Sequence, residues 1–220
     1  MSATVGVAVF PGTNCELDSI HAVESLGGIG KILWHSSKNL AEVDAVIIPG
    51  GFAHGDYLRP GAIARFSPLM SAISDFANNG GPVLGICNGF QVLTESGLLP
   101  GALQKNKGLK FLCKTVEVCV VTENSTLTRN AVKGAKLSLP INHFEGNFTC
   151  SNETLDTLLE QDRVVLRYCD NPNGSMNDIA GICNEARNVV GIMPHPERAC
   201  DSLLGSEDGK ILFDSLLGSN

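Results

Sequence analysis

The first half of the chain alternates short apolar runs with longer segments of helical period. Four runs are predicted to be strands: TVGVAVF, KILWH, DAVIIPGG and PVLGIC, which start at Thr4, Lys31, Asp44 and Pro82. The last two are apolar throughout, which is typical of strands buried on both faces of a sheet. Helices are predicted from Asn14 to the Gly27-Gly28 pair, from Ser67 to Asn78 and from Asn88 to Ser96. This alternation predicts a parallel sheet with helices on both faces.

After Gly101 the pattern changes, because strand-like runs follow one another without long helices between them. These runs start at Lys110, Lys136, Arg163, Asp178 and Val189. They predict a mixed or antiparallel extension of the sheet, and a last helix is predicted from about Glu207 to Leu217. The predicted fold is therefore α/β: an open, mostly parallel, flavodoxin-like sheet in three layers, with this extension. Without a repeat, a low-complexity tract or an obvious linker, we expect one domain over residues 1–220.

Composition and charge exclude several classes of protein. The net charge of −7 argues against a nucleic-acid partner, since phosphate binding requires a basic surface. The N-terminal apolar run stops at Phe10-Pro11, too early for the core of a signal peptide, and no apolar run approaches the roughly 18 residues of a membrane helix. We therefore expect a cytoplasmic protein that does not contact a membrane. In that reducing compartment the eight cysteines are not expected to form disulfides, and without a Cys-x-x-Cys pair no metal site is predicted.

One of the cysteines, Cys87, stands between Gly85 and Gly89 in the run PVLGICNGFQVL. A strand, a Gly-x-Cys-x-Gly turn and a helix are typical of a nucleophile elbow, in which side chains at the two glycines would collide with the neighbouring backbone. The elbow holds a sulfur at the carboxyl end of a central strand and at a helix N-terminus, where the partial positive charge favours thiolate. A packed, unreactive thiol fits the same five residues, so that alternative stays open at this point.

A nucleophilic cysteine needs a base, and His195 is the candidate among the five histidines. It lies between Pro194 and Pro196, and a residue before proline is restricted to extended conformations. In an extended segment, residues two apart share a face, so Glu197 is expected to project beside His195. The carboxylate would then fix the histidine tautomer and leave the other ring nitrogen to face Cys87.

Two backbone segments are candidates for the oxyanion hole. The N–H of Asn88 is the first of the helix that follows Cys87, and Gly50-Gly51 follows a buried strand whose carboxyl end lies at the same edge of the sheet. An ordinary glycine turn is the alternative for the second segment. The chain then continues with side chains too rich in chemistry for a simple connector: Phe52, His54, Asp56, Tyr57 and Arg59.

The runs PGG, GICNGFQVL and HPE occur in an order that resembles the class I, or triad-type, glutamine amidotransferase family, and the likeness spans essentially the whole chain. Residues 1–220 would then be a single domain of this type. The runs VFPGTNCELD, GGFAHGDYLRPGAIA and INHFEGNF further resemble the glutaminase branch that serves phosphoribosylformylglycinamidine synthase in purine biosynthesis. The branch assignment depends on these three runs.

The resemblance implies a mechanism for the candidate residues. Cys87 would attack the side-chain amide of L-glutamine, while the N–H groups of Gly51 and Asn88 hold the oxyanion. His195 would protonate the departing ammonia and then activate water to hydrolyse the glutamyl thioester, with Glu197 orienting His195.

The same resemblance implies a set of substrate-binding residues. Gln91, one helical turn after Cys87, would bind the substrate, and Gly50 would lie beside it. The segment implied to contact the amino-acid end of glutamine is Asn142, His143 and Phe144. No role is predicted for Asp56, Arg59, Glu145 or Arg198 beyond partner contacts or loop anchoring.

The sequence contains no nucleotide-binding motif, since Gly209-Lys210 stands alone, and no cofactor is predicted for this chain. The ammonia must therefore pass to another polypeptide. In the family, that partner is a large synthetase that uses ATP and Mg²⁺, and the resemblance also implies a third, small subunit.

Three alternatives remain at this point. A glutaminase could serve another synthase, such as those that make imidazole glycerol phosphate or pyridoxal phosphate. A non-catalytic, thiol-bearing module of the same fold is the second alternative, which the complete set of Cys87, His195 and Glu197 disfavours. A cysteine peptidase or other thiol hydrolase of similar topology is the third, which Gln91 disfavours.

Overall fold

The computed structural model describes residues 2–40, 42–51 and 66–218. Within these residues, eleven strands form two sheets. In chain order they are β1 (Thr4–Val9), β2 (Ile29–Trp34), β3 (Ala45–Ile48), β4 (Val83–Ile86), β5 (Ala102–Lys105), β6 (Leu112–Val120), β7 (Lys136–His143), β8 (Glu145–Thr149), β9 (Val164–Tyr168), β10 (Ile179–Cys183) and β11 (Val189–Ile192).

The main sheet has nine strands in the order β2-β1-β3-β4-β11-β10-β9-β6-β7. The pairings from β2 through β11 are parallel, whereas those from β11 through β7 are antiparallel. The predicted mixed α/β sheet is therefore confirmed, and its antiparallel part is as large as its parallel part. The strand β11, from the last fifth of the chain, joins the two parts by pairing with β4 on one side and β10 on the other.

Helices cover both faces of the sheet, as predicted. Those of the described residues are α1 (Glu16–Ser25), α2 (Pro68–Asn78), α3 (Asn88–Glu95), α4 (Asn152–Glu160) and α5 (Lys210–Leu217). The start of α2 follows from its sequence, because the Ser67 hydroxyl accepts a hydrogen bond from the Met70 N–H and Pro68 occupies the first turn. No helix in the parts of the chain that the structure describes is long and apolar enough to cross a membrane.

Two elements of the second half differ from the prediction. The sequence predicted no long helix between the later strands, and it did not indicate α4, a short helix of nine residues. It begins at a serine cap, Ser151, which accepts from the Thr154 N–H, and it buries Leu158. The short strand β5 was also missed. It pairs with β8 in a separate two-stranded sheet, so the run predicted as one strand from Lys136 is divided between two sheets.

The small sheet approaches the helix that follows Cys87. Phe148 of β8 stacks on Phe90 of α3, with ring centroids 5.9 Å apart, and both rings are fully buried. Burial of two aromatic side chains in contact is a large stabilising term. The contact holds the β7–β8 connection against the start of α3, where the candidate site lies.

Candidate active site

Cys87 occupies a sharp turn between β4 and α3. Its backbone has φ 51° and ψ −105°, an unusual conformation for a residue with a side chain and one that costs energy. A Cβ added to Gly85 would lie 2.6 Å from the carbonyl oxygen of Gly89, and one added to Gly89 would overlap the carbonyl oxygen of Ile48. The predicted reason for both glycines is confirmed, and the strained turn is that of a nucleophile elbow.

The elbow is tied to its neighbouring strands. The Cys87 N–H donates to the Ile192 carbonyl at 2.8 Å, which continues the ladder between β4 and β11 by one residue. The Cys87 Sγ lies 3.8 Å from the carbonyl oxygen of Asn142, on the far side of the site. The sulfur is therefore held between the parallel half of the sheet and the β7–β8 connection.

His195 follows β11 and pairs with Glu197. Its Nδ1 lies 2.6 Å from Glu197 Oε1, and both side chains are almost fully buried. The His195 N–H donates to the Pro140 carbonyl of β7 at 2.8 Å, which fixes the position of the turn. The predicted contact between His195 and Glu197 is present, but the prediction that this segment is extended through Glu197 is wrong. Residues Pro196–Arg198 form a 3₁₀ turn, because proline is equally suited to the first position of a helical turn.

The second ring nitrogen of His195, Nε2, is buried without a hydrogen-bond partner among the described residues. Burial by itself lowers the pKa of this imidazole, but the charges of Glu197 and then Cys87 outweigh burial and raise the pKa to about 10. His195 is therefore an imidazolium at neutral pH, held between a carboxylate and a sulfur.

Gly50 and Gly51 follow β3 and lie directly beside these groups. A Cβ on Gly50 would come within 2.8 Å of the His195 ring and 3.5 Å of the Cys87 Cβ, so only glycine allows this close approach. Gly51 packs against the backbone of Gly12 and Thr13 and forms an isolated bridge with Thr13.

A small, narrow pocket opens at Cys87. Its walls contain most of the residues predicted for the oxyanion hole and the substrate site: Gly51, Asn88, Gln91, Asn142, His143 and Phe144, together with Glu145. The Gln91 side chain is held at both ends, because its Oε1 accepts from Asn88 Nδ2 at 2.7 Å and its Nε2 donates to the Glu145 carbonyl at 3.1 Å. The structure thus brings together groups separated by more than fifty residues of sequence.

His143 is the last residue of β7. The side chain is buried, and its Nδ1 lies 3.0 Å from the Oδ1 of Asn106. Burial, followed by the charge of His195, lowers the pKa of His143 to about 4. The two histidines of the site therefore differ in charge at neutral pH.

Sequence reasoning missed a group behind the His195–Glu197 pair. Arg198 donates to the Asp18 carboxylate at 3.0 Å and to the Cys15 Sγ at 3.2 Å, which connects the start of α1 to the 3₁₀ turn. Burial raises the pKa of the Cys15 thiol to about 12. Cys15 and Asp18 belong to the run VFPGTNCELD, which contributes to the family resemblance, but the sequence predicted no role for either residue.

Cys15, His195 and Glu197 form a group that could hold a metal ion, with one candidate ligand atom from each residue and all of these atoms within 4.8 Å of one another. One feature opposes such a site: the Arg198 guanidinium already contacts Cys15. That no metal binds here stays a prediction.

Part of the predicted set lies outside the described residues: Phe52, His54, Asp56, Tyr57 and Arg59. The run GGFAHGDYLRPGAIA, which contributes to the family resemblance, also lies outside the described residues, except for Gly50 and Gly51. All eight cysteines are free thiols.

Comparison with known proteins agrees with the fold and with the family resemblance. Residues 2–209 match the family model described as a CobB/CobQ-like glutamine amidotransferase domain. The chain is 57% identical over 213 residues to a protein of Rubrobacter xylanophilus named phosphoribosylformylglycinamidine synthase subunit PurQ, with 97% of each chain covered. A protein of the same name from Koribacter versatilis is 53% identical, again with 97% of both chains covered.

A solved structure described as PurLQS from Thermotoga maritima contains a similar chain. It superposes with a TM-score of 0.91 at 42% sequence identity and covers 99% of both chains.

Proposed function

The chain belongs to the glutamine amidotransferase family, and we propose that it hydrolyses glutamine through Cys87 as the glutaminase subunit of phosphoribosylformylglycinamidine synthase. The observation that carries the chemical part of this proposal is the strained elbow at Cys87 beside the buried His195–Glu197 pair. A positive φ at a non-glycine residue costs energy, and a fold retains it where a side chain must be presented.

The first half of the reaction is acyl transfer. The thiolate of Cys87 attacks the side-chain amide carbon of glutamine, and the carbonyl oxygen becomes an oxyanion. His195, protonated through its pairing with Glu197, gives its proton to the amide nitrogen as the C–N bond breaks. Neutral ammonia leaves, and the glutamyl group remains on Cys87 as a thioester.

The second half is hydrolysis. The now neutral His195 takes a proton from water, the hydroxide attacks the thioester carbon, and the C–S bond breaks to release glutamate and the thiolate. Glu197 keeps Nδ1 protonated throughout, so that Nε2 alone exchanges protons with the substrate. Each turnover returns the pair to its starting charge.

The oxyanion is assigned to the N–H groups of Gly51 and Asn88. Both residues border the cavity at Cys87, and Asn88 opens α3, where N–H groups of the first turn lack partners within the helix. Preorganised donors of this kind stabilise an oxyanion without reorganisation during the reaction.

Glutamine is assigned to the pocket bordered by Gln91 and the segment from Asn142 to Phe144, with Gly50 next to Cys87 and His195. The Asn88–Gln91–Glu145 hydrogen bonds hold Gln91 in one orientation. A fixed amide favours one polar ligand geometry, because a mismatched ligand would leave buried polar groups unpaired.

The ammonia is delivered to a large synthetase chain that uses ATP and Mg²⁺, and a third small subunit completes the assembly. This chain carries no cofactor of its own, and the complex works in the cytoplasm. Support comes from the names of the relatives, which are subunits of a synthase, and from the Thermotoga maritima structure, which is described as PurLQS.

The decisive experiment compares two ammonia sources. In the complex with its synthetase, Cys87→Ala should abolish glutamine-dependent synthesis and leave synthesis from added ammonium salt near its normal rate. Cys183→Ala is the matched control, since Cys183 is a buried cysteine in the antiparallel half and should leave both activities unchanged. Loss of ammonia-dependent synthesis in Cys87→Ala would show that Cys87 is structural.

A chemical probe gives an independent reading. A glutamine-mimicking alkylating agent should label Cys87 before the other seven thiols, with peptide mass mapping as the measurement. Preferential labelling of the exposed Cys113 would contradict the proposal.

A further inference from the structure

Asn106, which follows β5, is a buried residue with no role in the reaction described so far. Its side-chain amide nitrogen donates to two carbonyl oxygens, that of Lys110 at 2.9 Å and that of His143 at 3.0 Å. Its backbone N–H donates to the Phe144 carbonyl at 2.9 Å. Asn106 is therefore anchored to the β7–β8 connection by its main chain and by its side chain.

These contacts determine which ring nitrogen of His143 carries the proton. The two N–H groups of the Asn106 amide are both used on carbonyls, so the Asn106 Oδ1 is the atom that faces His143 Nδ1, at 3.0 Å. A carbonyl oxygen only accepts, so Nδ1 must be the donor. In a neutral imidazole the other nitrogen, Nε2, then carries a lone pair and no proton.

That lone pair has no hydrogen-bond partner among the residues that the structure describes. His143 Nε2 is buried without a hydrogen bond among the described residues, although His143 borders the cavity at Cys87. The ring has little freedom to turn away, because the Gly146 backbone lies so close that a Cβ there would overlap it. A buried acceptor without a donor is costly and rare in native proteins, which indicates a ligand that supplies the donor.

The electrostatics of the site point the same way. Burial and the positive charge of His195 lower the pKa of His143 to about 4, so the ring is neutral at physiological pH. A neutral acceptor suits an N–H group of the substrate, whereas an imidazolium would repel an ammonium group.

We propose that Asn106 is a positioning residue that holds His143 as the Nδ1–H tautomer, so that Nε2 accepts a hydrogen bond from an N–H group of the glutamine substrate. The inference rests on the proposed function for the identity of the ligand. Glutamine has two such groups, the α-ammonium and the side-chain amide that becomes ammonia, and the experiment distinguishes them.

The first measurement does not require enzymatic activity. Nitrogen-15 chemical shifts of the His143 ring in the full chain, assigned by comparison with His143→Gln, should show a protonated Nδ1 and an unprotonated Nε2 at neutral pH. An Nε2–H tautomer or an imidazolium at that pH would overturn the inference. Because the spectrum does not depend on turnover, it separates this inference from a failure of the proposed function.

The second measurement changes the anchor. Asn106→Asp replaces the amide by a carboxylate, which should convert His143 to the imidazolium in the same spectrum and remove its lone pair. In the complex with the synthetase, we expect the KM for glutamine to rise roughly tenfold or more, with a smaller change in kcat. Asn106→Ala should also raise KM while leaving a mixture of tautomers.

Asn188 offers a matched control. Its amide likewise donates to two carbonyls, those of Ala77 and Gly81, both at 2.8 Å, and its oxygen accepts from Asn184. It is buried as well, but it precedes β11 and so lies at the opposite end of that strand from the turn that carries His195. Asn188→Asp should lower stability as Asn106→Asp does without raising KM. Equal KM changes in the two variants would show that Asn106 acts only through folding.

A glutamine analogue that lacks the α-amino group shows which N–H group of the substrate His143 binds. If His143 binds the α-ammonium, Asn106→Asp should impair hydrolysis of glutamine but leave hydrolysis of the analogue at the wild-type rate. If it binds the amide nitrogen, both substrates should be impaired by the same factor. No effect on either substrate, with the variant spectrum changed as expected, would refute the role in substrate binding.

Discussion

The two histidines of the site have similar hydrogen-bonding arrangements and different charges. Each is buried, and each has Nδ1 held by a side-chain oxygen. The oxygen belongs to a carboxylate at His195 and to an amide at His143. At His195 the charges of Glu197 and Cys87 together outweigh burial and raise the pKa, whereas at His143 burial and the charge of His195 both lower it, so that His195 is a proton donor and His143 a neutral acceptor.

The largest effect should come from giving His195 an amide partner, as His143 has, in place of its carboxylate. Glu197→Gln places an amide at His195 Nδ1, so the pKa of His195 should fall and its proton should no longer be available at neutral pH. We expect kcat/KM for glutamine hydrolysis to fall by roughly 10² to 10⁴. Steady-state glutaminase assays of the complex measure this.

Glu207→Gln is the control for that variant, because Glu207 pairs with Lys210 on the surface and should tolerate the same change. A Glu197→Gln enzyme with near-normal turnover would remove the carboxylate from the mechanism.

A smaller effect should appear in the pH dependence of stability. The folded-state pKa of His143 is lowered from 6.5 to about 4, so the unfolded chain binds the proton more readily between these values. This group therefore stabilises the fold above pH 6.5, and its contribution is lost as the pH falls through 4, by at most about 3 kcal/mol. His143→Gln should flatten this acid limb in urea unfolding series, whereas an acid limb equal to that of the wild type would contradict the assigned charge state.

The smallest effect should come from removing the positive charge of Arg198, which lies behind the His195–Glu197 pair. Arg198→Met removes the contacts with Asp18 and Cys15, and because that ion pair is partly exposed we expect a loss of only about 1 kcal/mol in the free energy of unfolding. Glutaminase activity should fall modestly, by less than about tenfold, as the turn that holds Glu197 loses one anchor. Lys136→Met, at an exposed pair with Glu117, is the control, and a larger loss of activity there than in Arg198→Met would exclude anchoring by Arg198.

The sequence predicted those parts of the molecule that depend on local pattern. The buried strands of the first half, the elbow at Cys87 and the closeness of His195 and Glu197 all follow from residues within a few positions of one another. The 3₁₀ backbone at Pro196 was not predictable, because the φ of proline suits an extended segment and a helical turn equally.

Contacts between distant segments lay outside the reach of the sequence. Nothing in residues 102–110 indicates that Asn106 reaches His143, since an asparagine between lysines is typical of an exposed loop. The helix α4 was missed for a related reason: it has only nine residues and buries one leucine fully, so its apolar period is weak. The place of β11 between β4 and β10 was equally unforeseen, because strand order depends on the packing of the whole sheet.

The position of β11 has a consequence for how the protein is made. A ribosome synthesises the chain from its N-terminus, so the sulfur emerges more than one hundred residues before the strand that supports its base. Until residues 189–192 are added, β4 has only β3 beside it, the Cys87 N–H lacks its acceptor at Ile192, and no strand joins the parallel half of the sheet to the antiparallel half. Such late, long-range pairing slows folding. It also means that a truncated product of translation should hold a harmless thiol and release no ammonia.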